Sequence, residues 1–335
     1  MINTPKKEKQ KWIAFVVSFC ILIIAFALSM SLGQTPIAFS TTWDAIFHYD
    51  ESLTEHIIVM TSRLTRAVIA TVIGASLAMA GAMMQALTRN PLAAPDIFGI
   101  NAGAIFFIVI AITLFSVDSL VHYMWIAFIG AAIAALCVYF LGSIGTGGLS
   151  PMKVVLSGAA VSALFVSFTQ AFLVIDEQRI QSILFWLAGS VAGRSMDVLL
   201  PILPFILFGG LLALLLGSSI NILLSGEDVA KGLGQKIILL KILIGVVVVF
   251  LAGGSVAIGG SIGFIGLIVP HIVRGVVGPD YRWILPVSAF VGAGLLLLAD
   301  VTARFLIMPQ EVPIGVMTAL IGTPFFIYIA RRGLS

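Results

Sequence analysis

Three arginines and one short polar loop carry most of the chemistry open to this chain. Arg63 and Arg66 are three residues apart, so on a helix they share one face. Arg304 follows Asp300 by four residues, and that spacing brings the two side chains within reach of each other. A guanidinium fork binds a carboxylate through two parallel hydrogen bonds. Two readings fit these positions. The arginines could meet an acidic partner protein. They could instead pair internally with Asp300 or Glu311, or snorkel toward a polar boundary. The second cluster comprises Ser225, Gly226, Glu227, Asp228, Val229, Ala230, Lys231, Gly232, Leu233 and Gly234. Val229 and Leu233 are four apart and would share the apolar face of a short helix. Such a helix could dock into another protein, or the segment could be a solvated loop.

Bond-making chemistry finds no footing in the sequence. There is no Gly-x-x-x-x-Gly-Lys-[Ser/Thr] loop to cradle a nucleotide phosphate and no His-Glu-x-x-His pair for a metal. His48, His56, His122 and His271 are scattered, and no nucleophile sits beside a base. His271, after Pro270, reads as a neutral histidine bonded to a carbonyl. Cys20 and Cys137 lie in apolar runs and read as packing residues, with no disulfide framework implied. These absences exclude an intramembrane enzyme. Ionisable residues inside the apolar runs are almost missing, which argues against an ion-coupled secondary transporter. A transporter with neither a nucleotide site nor buried charges draws its energy from another subunit.

The elements that position these residues are membrane helices. The chain has 335 residues, 60% hydrophobic and 10% charged, where a soluble domain carries about 25% charged residues. Nine charge-free runs cover 12–43, 67–88, 97–117, 119–152, 154–175, 198–226, 242–273, 283–299 and 312–330. A span needs roughly 20 apolar residues. The 32-residue run 242–273 is interrupted by paired glycines at 253–254 and 259–260, so it splits into a span and a short helix from near Phe264. The expectation is an all-α polytopic membrane protein with about ten spans. With both termini cytoplasmic, 13 of the 18 Lys and Arg residues fall inside, as the positive-inside bias requires. The basic start, 1–11, is then a cytoplasmic tail. The stretches 33–62 and 176–197 are external loops, the second holding an interfacial helix over 180–193. The loop 225–236 is cytoplasmic. No soluble domain or nucleic-acid partner is implied, so 1–335 reads as one membrane domain.

Two further segments punctuate this layout. Arg89, Asn90 and Pro91 end one helix, and Pro95 with Asp96 suits the start of the next. In 259–304, glycine pairs, Pro270, His271 and Pro286 stand where a passive anchor would carry leucine. Glycines such as Gly74, Gly81, Gly266 and Gly292 allow close helix approach, which excludes a loosely packed scaffold.

Together these segments resemble the permease subunits that import ferric siderophores, haem and cobalamin in ATP-binding-cassette systems, the FecCD-type permeases. The resemblance runs through Arg63-Leu-Thr-Arg66, Gly74 to Gly81, Gln85 to Gly103, 226–234, 259–274, Leu285-Pro286, 299–304 and Pro313 to Pro324. Thr65 stands where many relatives carry proline. The resemblance implies ten spans and cytoplasmic termini. It implies that 225–234 docks on an ATPase, and that Arg63, Arg66 and Arg304 meet glutamates of an extracytoplasmic binding protein. It also implies a second permease subunit, two ATPase subunits that use the ATP, and no cofactor on this chain. The location implied is the bacterial cytoplasmic membrane, in contact with lipid.

Overall fold

The computed structural model describes residues 5–115, 117, 119–145, 150–175 and 186–332. The described residues are helical throughout, apart from turns and one isolated bridge between Ile307 and Gln310. We label the main helices α1 (Pro5–Ser31), α2 (Phe39–Phe47), α3 (Thr54–Thr88), α4 (Ile100–Phe115), α5 (Leu120–Ser143), α6 (Pro151–Ile175), α7 (Leu203–Leu224), α8 (Glu227–Gly232), α9 (Ile237–Gly259), α10 (Ile265–Val277), α11 (Tyr281–Phe305) and α12 (Ile314–Arg332). Seven of them, α1, α3, α5, α6, α7, α9 and α11, are long and apolar enough to cross a membrane. Three shorter apolar helices accompany them: α4, α10 and the 314–328 part of α12. Large apolar side chains cover the outside; Leu215 is 68% and Ile238 74% exposed. Such a surface requires an apolar surrounding, as a bilayer or a packed partner provides.

Helix α3 is the centre of the bundle. It is 78% buried along its most apolar window, against 22% for α1 at the rim. The stretch 33–62, expected as a loop, holds α2 and the first turns of α3. A π-helical turn, Ile58–Arg63, leads into the regular part of α3. The charge-based boundary fell short because Arg63 and Arg66 are buried or half-buried and fully paired, so they do not mark a water-exposed end. Of the interfacial helix expected over 180–193, residues up to 185 lie outside the described residues; 186–188 are helical.

Glycines set how closely α3 meets its neighbours. A Cβ on Gly81 would lie 1.9 Å from the Gly266 carbonyl oxygen of α10. One on Gly74 would lie 2.4 Å from the Gly292 carbonyl oxygen of α11. Both neighbours are backbone and cannot rotate away. Gly81→Val is therefore expected to cost at least ~1–3 kcal/mol, the usual range for overpacking. Thermal unfolding in detergent checks this; a variant melting with wild type would contradict so tight a seam.

The chain between α9 and α10 turns at Gly260 (φ +72), within the expected glycine break, and again at Phe264 (φ +67), where the short helix was expected to begin. The N-terminal residue before α11, Asp280, ties three helices at the other end. It accepts hydrogen bonds from the Arg282 backbone (3.0 Å) and from Asn221 of α7 (2.7 Å), and lies 3.9 Å from Lys11 of α1. Burial pushes its carboxyl up, but the bonds from Arg282 and Asn221 outweigh that and hold it down at about 2. Nearby, Arg274 of α10 donates to Gln85 of α3 (3.1 Å) and to the Tyr281 hydroxyl (3.0 Å). His271 rests edge-on against Phe325 and makes no hydrogen bond among the described residues, unlike the carbonyl bond expected from sequence.

Candidate functional site

The three sequence-selected arginines meet at one end of the bundle, where α1, α3 and α11 converge. The last carbonyls of α1 have no intrahelical donors and carry the negative end of the helix dipole. Arg63 donates to the carbonyls of Met30 (3.0 Å) and Ser31 (2.6 Å). Arg304 donates to the carbonyls of Ser29 (2.9 Å) and Leu32 (2.7 Å) and to the Ser29 hydroxyl (2.9 Å). Asp300, fully buried, accepts from Arg304 through Nε at 3.1 Å and from Arg66 through Nε at 3.0 Å and Nη2 at 2.8 Å. Arg66 also reaches Glu311 at 2.7 Å. Internal pairing, one of the two readings of the spacing, is what these side chains do in the folded chain. Arg63 and Arg304 are 5% and 2% exposed.

The cluster still has an open side. A polar cleft of about 170 Å³ is lined by Gln34, Ser62, Arg63, Arg66, Arg304 and Glu311. Three arginines face two carboxylates there, Asp300 and Glu311, so the cleft carries one net positive charge. Arg66 keeps 14% of its side chain exposed and is the most accessible of the three.

The second site lies at the opposite end. Gly226 enters α8 with φ +123, a conformation that strains residues with a Cβ, and Gly234 leaves the segment at φ +78. Ala230 is buried and seats α8 on the bundle. Val229 and Leu233 point away from it, 52% and 68% exposed. Glu227 accepts from Lys241 of α9 at 2.8 Å. That bond, with some help from Arg89, holds the Glu227 carboxyl below its ordinary range despite partial burial. Asp228 is fully exposed and 3.8 Å from Lys231. Gln235 donates to the Ser219 carbonyl of α7 at 2.9 Å, and Arg89 of α3 donates to the Leu223 carbonyl at 3.3 Å. The short segment is thus held by α7 and α9 while its apolar face is left open.

This arrangement pairs two polar ends with an apolar bundle, and similarity to known proteins gives it a context. Residues 21–332 match the FecCD transport family. The chain belongs to that family. It is 52% identical over 98% of both chains to the Bacillus subtilis (strain 168) protein named "Probable siderophore transport system permease protein YfiZ". It is 39% identical to the ferric enterobactin transport system permease protein FepD of Escherichia coli (strain K12), over 93% of both chains. Its fold matches a metal-chelate type ABC transporter solved in an inward-facing conformation, with a TM-score of 0.84, 30% identity, and coverage of 95% of this chain and 98% of that one.

Within this FecCD chain the structure adds residues that the sequence pattern did not single out. Asp96 is the acid of a helix start, as the sequence suggests: it sits in the 3₁₀ turn, Pro95–Phe98, that leads into α4, and it also faces an internal cleft lined by Leu77, Asn101, Ile262 and Phe264. Its carboxylate makes no hydrogen bond or ion pair among the described residues. Lys241 anchors α8 through Glu227. Carbonyls at a helix end leave no mark in side-chain chemistry, so the backbone acceptors of Arg63 and Arg304 had no sequence signal.

Proposed function

We propose that this chain is the permease subunit of an ATP-binding-cassette importer that moves a ferric siderophore across the bacterial cytoplasmic membrane. The observation that carries this reading is likeness along almost the whole chain to a named siderophore permease, at 52% identity. Relatives named for iron chelates favour a siderophore over haem or cobalamin. The seven long helices and three shorter ones make ten spans in this reading, with both termini in the cytoplasm. The skewed placement of Lys and Arg supports that topology. The chain is one transmembrane domain, without a cofactor of its own. It pairs with a second permease subunit, identical or homologous, and the cargo passes along their interface.

The two polar ends then take distinct roles. The open face of Val229 and Leu233 seats an ATPase subunit that hydrolyses the ATP. Motion of that subunit reaches α9 through the Glu227–Lys241 bond, and α9 contains a π-helical turn, Val249–Gly253, where a helix can change its winding. At the other end, an acidic side chain of a substrate-binding protein enters the arginine cleft. Only the open side of the cluster is used, since Arg63 and Arg304 are committed to α1.

Deleting the gene in iron-limited cells should abolish uptake of the cognate ferric siderophore, with restoration by a plasmid copy. Undiminished uptake would refute the assignment. For docking, Glu311→Gln raises the cleft charge by one and is expected to tighten binding-protein affinity about threefold at low salt, whereas Arg66→Gln weakens it about tenfold. Surface plasmon resonance on the purified pair measures both. Affinities unmoved by either change, at any salt, would remove the cleft from the docking surface.

A further inference from the structure

We propose that a groove between α5 and α9 holds one acyl chain of an anionic phospholipid from the cytoplasmic leaflet, with its phosphate at Lys241. The groove encloses about 280 Å³ and is walled by Ala132, Ala135 and Leu136 of α5 and by Gly245, Val249 and Phe250 of α9, with Phe98 at its floor. It exists because small residues face each other across the two helices. Gly245 leaves the space in which a Cβ would only just touch the Phe98 ring, at 3.8 Å. From Lys241 to Phe250 the slot follows α9 for about 13 Å at 1.5 Å per residue.

Three observations select the occupant. The first is the lining, which is apolar apart from Lys241 and Tyr139. The second is position. The flanking side chains Phe140 and Ile238 are 63% and 74% exposed, so the groove opens on the apolar outer surface of the bundle. An acyl chain is thin enough to enter such a slot, whereas a helix of a second copy, about 10 Å across with its side chains, would ride over it. The third is charge. Lys236 immediately precedes α9, Lys241 lies in its early turns, and Lys153 adjoins Val154 of the groove wall; these three cations outnumber Glu227, the carboxylate paired with Lys241, and suit an anionic headgroup. Lys241 is also the residue that holds Glu227, so a bound phosphate shares the cation that anchors α8. The leaflet named here rests on the topology proposed above; binding itself does not.

Native mass spectrometry of the full-length chain in mild detergent, with phosphatidylglycerol and phosphatidylcholine added in equal amounts, tests the proposal without any transport readout. The expected result is one retained lipid per chain, with phosphatidylglycerol preferred. Lys241→Gln should keep a lipid but lower that preference about fivefold, the worth of one basic side chain at an anionic surface. Gly245→Leu fills the slot and should abolish retention at an unchanged melting temperature. Ala132→Leu fills it from the other wall and serves if the first variant folds poorly. Equal retention by wild type and both filled variants would overturn the proposal. So would a wild-type chain that keeps no lipid, or a dimer that falls apart on filling the groove while lipid retention is unchanged.

Discussion

Asp300→Ala is expected to be the most damaging single change in the outer cluster. Asp300 is fully buried and is the shared acceptor of Arg66 and Arg304. Its loss leaves two guanidinium groups facing each other, with Glu311 the only carboxylate left in the cluster, and that one reaches Arg66 alone. Breaking a buried pair by removing one partner costs about 3–5 kcal/mol. Arg304 also caps the carbonyls of Ser29 and Leu32, so its displacement loosens the end of α1 as well. Asp300→Ala should therefore lower the melting temperature in detergent by many degrees and reduce the monodisperse yield. Asp300→Asn keeps an acceptor oxygen and should fall between. Adding Arg304→Met to Asp300→Ala should recover part of the loss by removing one stranded charge, but not the capping bonds. Asp300→Ala melting with wild type would show that the cluster is not structural.

The second large effect is expected at α8. Replacing Val229 and Leu233 together by Asp leaves the fold unchanged, because both side chains project into solvent and Ala230 does the seating. The apolar face offered to the ATPase is destroyed. Two central apolar contacts at about 2 kcal/mol each correspond to a loss of roughly a thousandfold in affinity. Co-purification of the ATPase subunit should fail, and uptake with it, while melting stays at the wild-type temperature. A variant complex that retains its ATPase in full ratio would move the docking surface elsewhere. Glu227→Gln offers a milder contrast. It weakens the tie to Lys241 without touching the apolar face, so the ATPase should stay bound while stimulation of ATP hydrolysis by loaded binding protein declines.

Much of this architecture was legible in the sequence because lipid imposes a simple rule. Charge is excluded from a bare helix in hydrocarbon, so charge-free runs mark helices. The rule misplaced the start of α3 for the same reason it worked elsewhere. Arg63 and Arg66 are charged but paired with α1, Asp300 and Glu311, and a paired charge no longer requires water. Spacing told that Arg63 and Arg66 share a face and that Asp300 meets Arg304. It could not tell that most of the remaining acceptors are backbone carbonyls at 29–32 and at Thr35, since those groups are the same in every residue. Likewise the four-residue spacing of Val229 and Leu233 was readable, but the bond that fastens α8 to α9 joins residues 14 apart across a turn. Pro95 and Asp96 do open the next helical element, as a 3₁₀ turn, but a helix-start signal says nothing of the cleft that Asp96 faces.

Uptake by a reconstituted assembly decides whether this chain works as a subunit of an ATP-driven importer. The chain would be placed in liposomes with its partner permease and ATPase subunits, and radiolabelled ferric siderophore supplied on its binding protein. Accumulation is expected only when the binding protein is outside and ATP is inside, and none with the permease chains alone. Accumulation by this chain alone, driven by a proton or sodium gradient without the ATPase, would contradict that role.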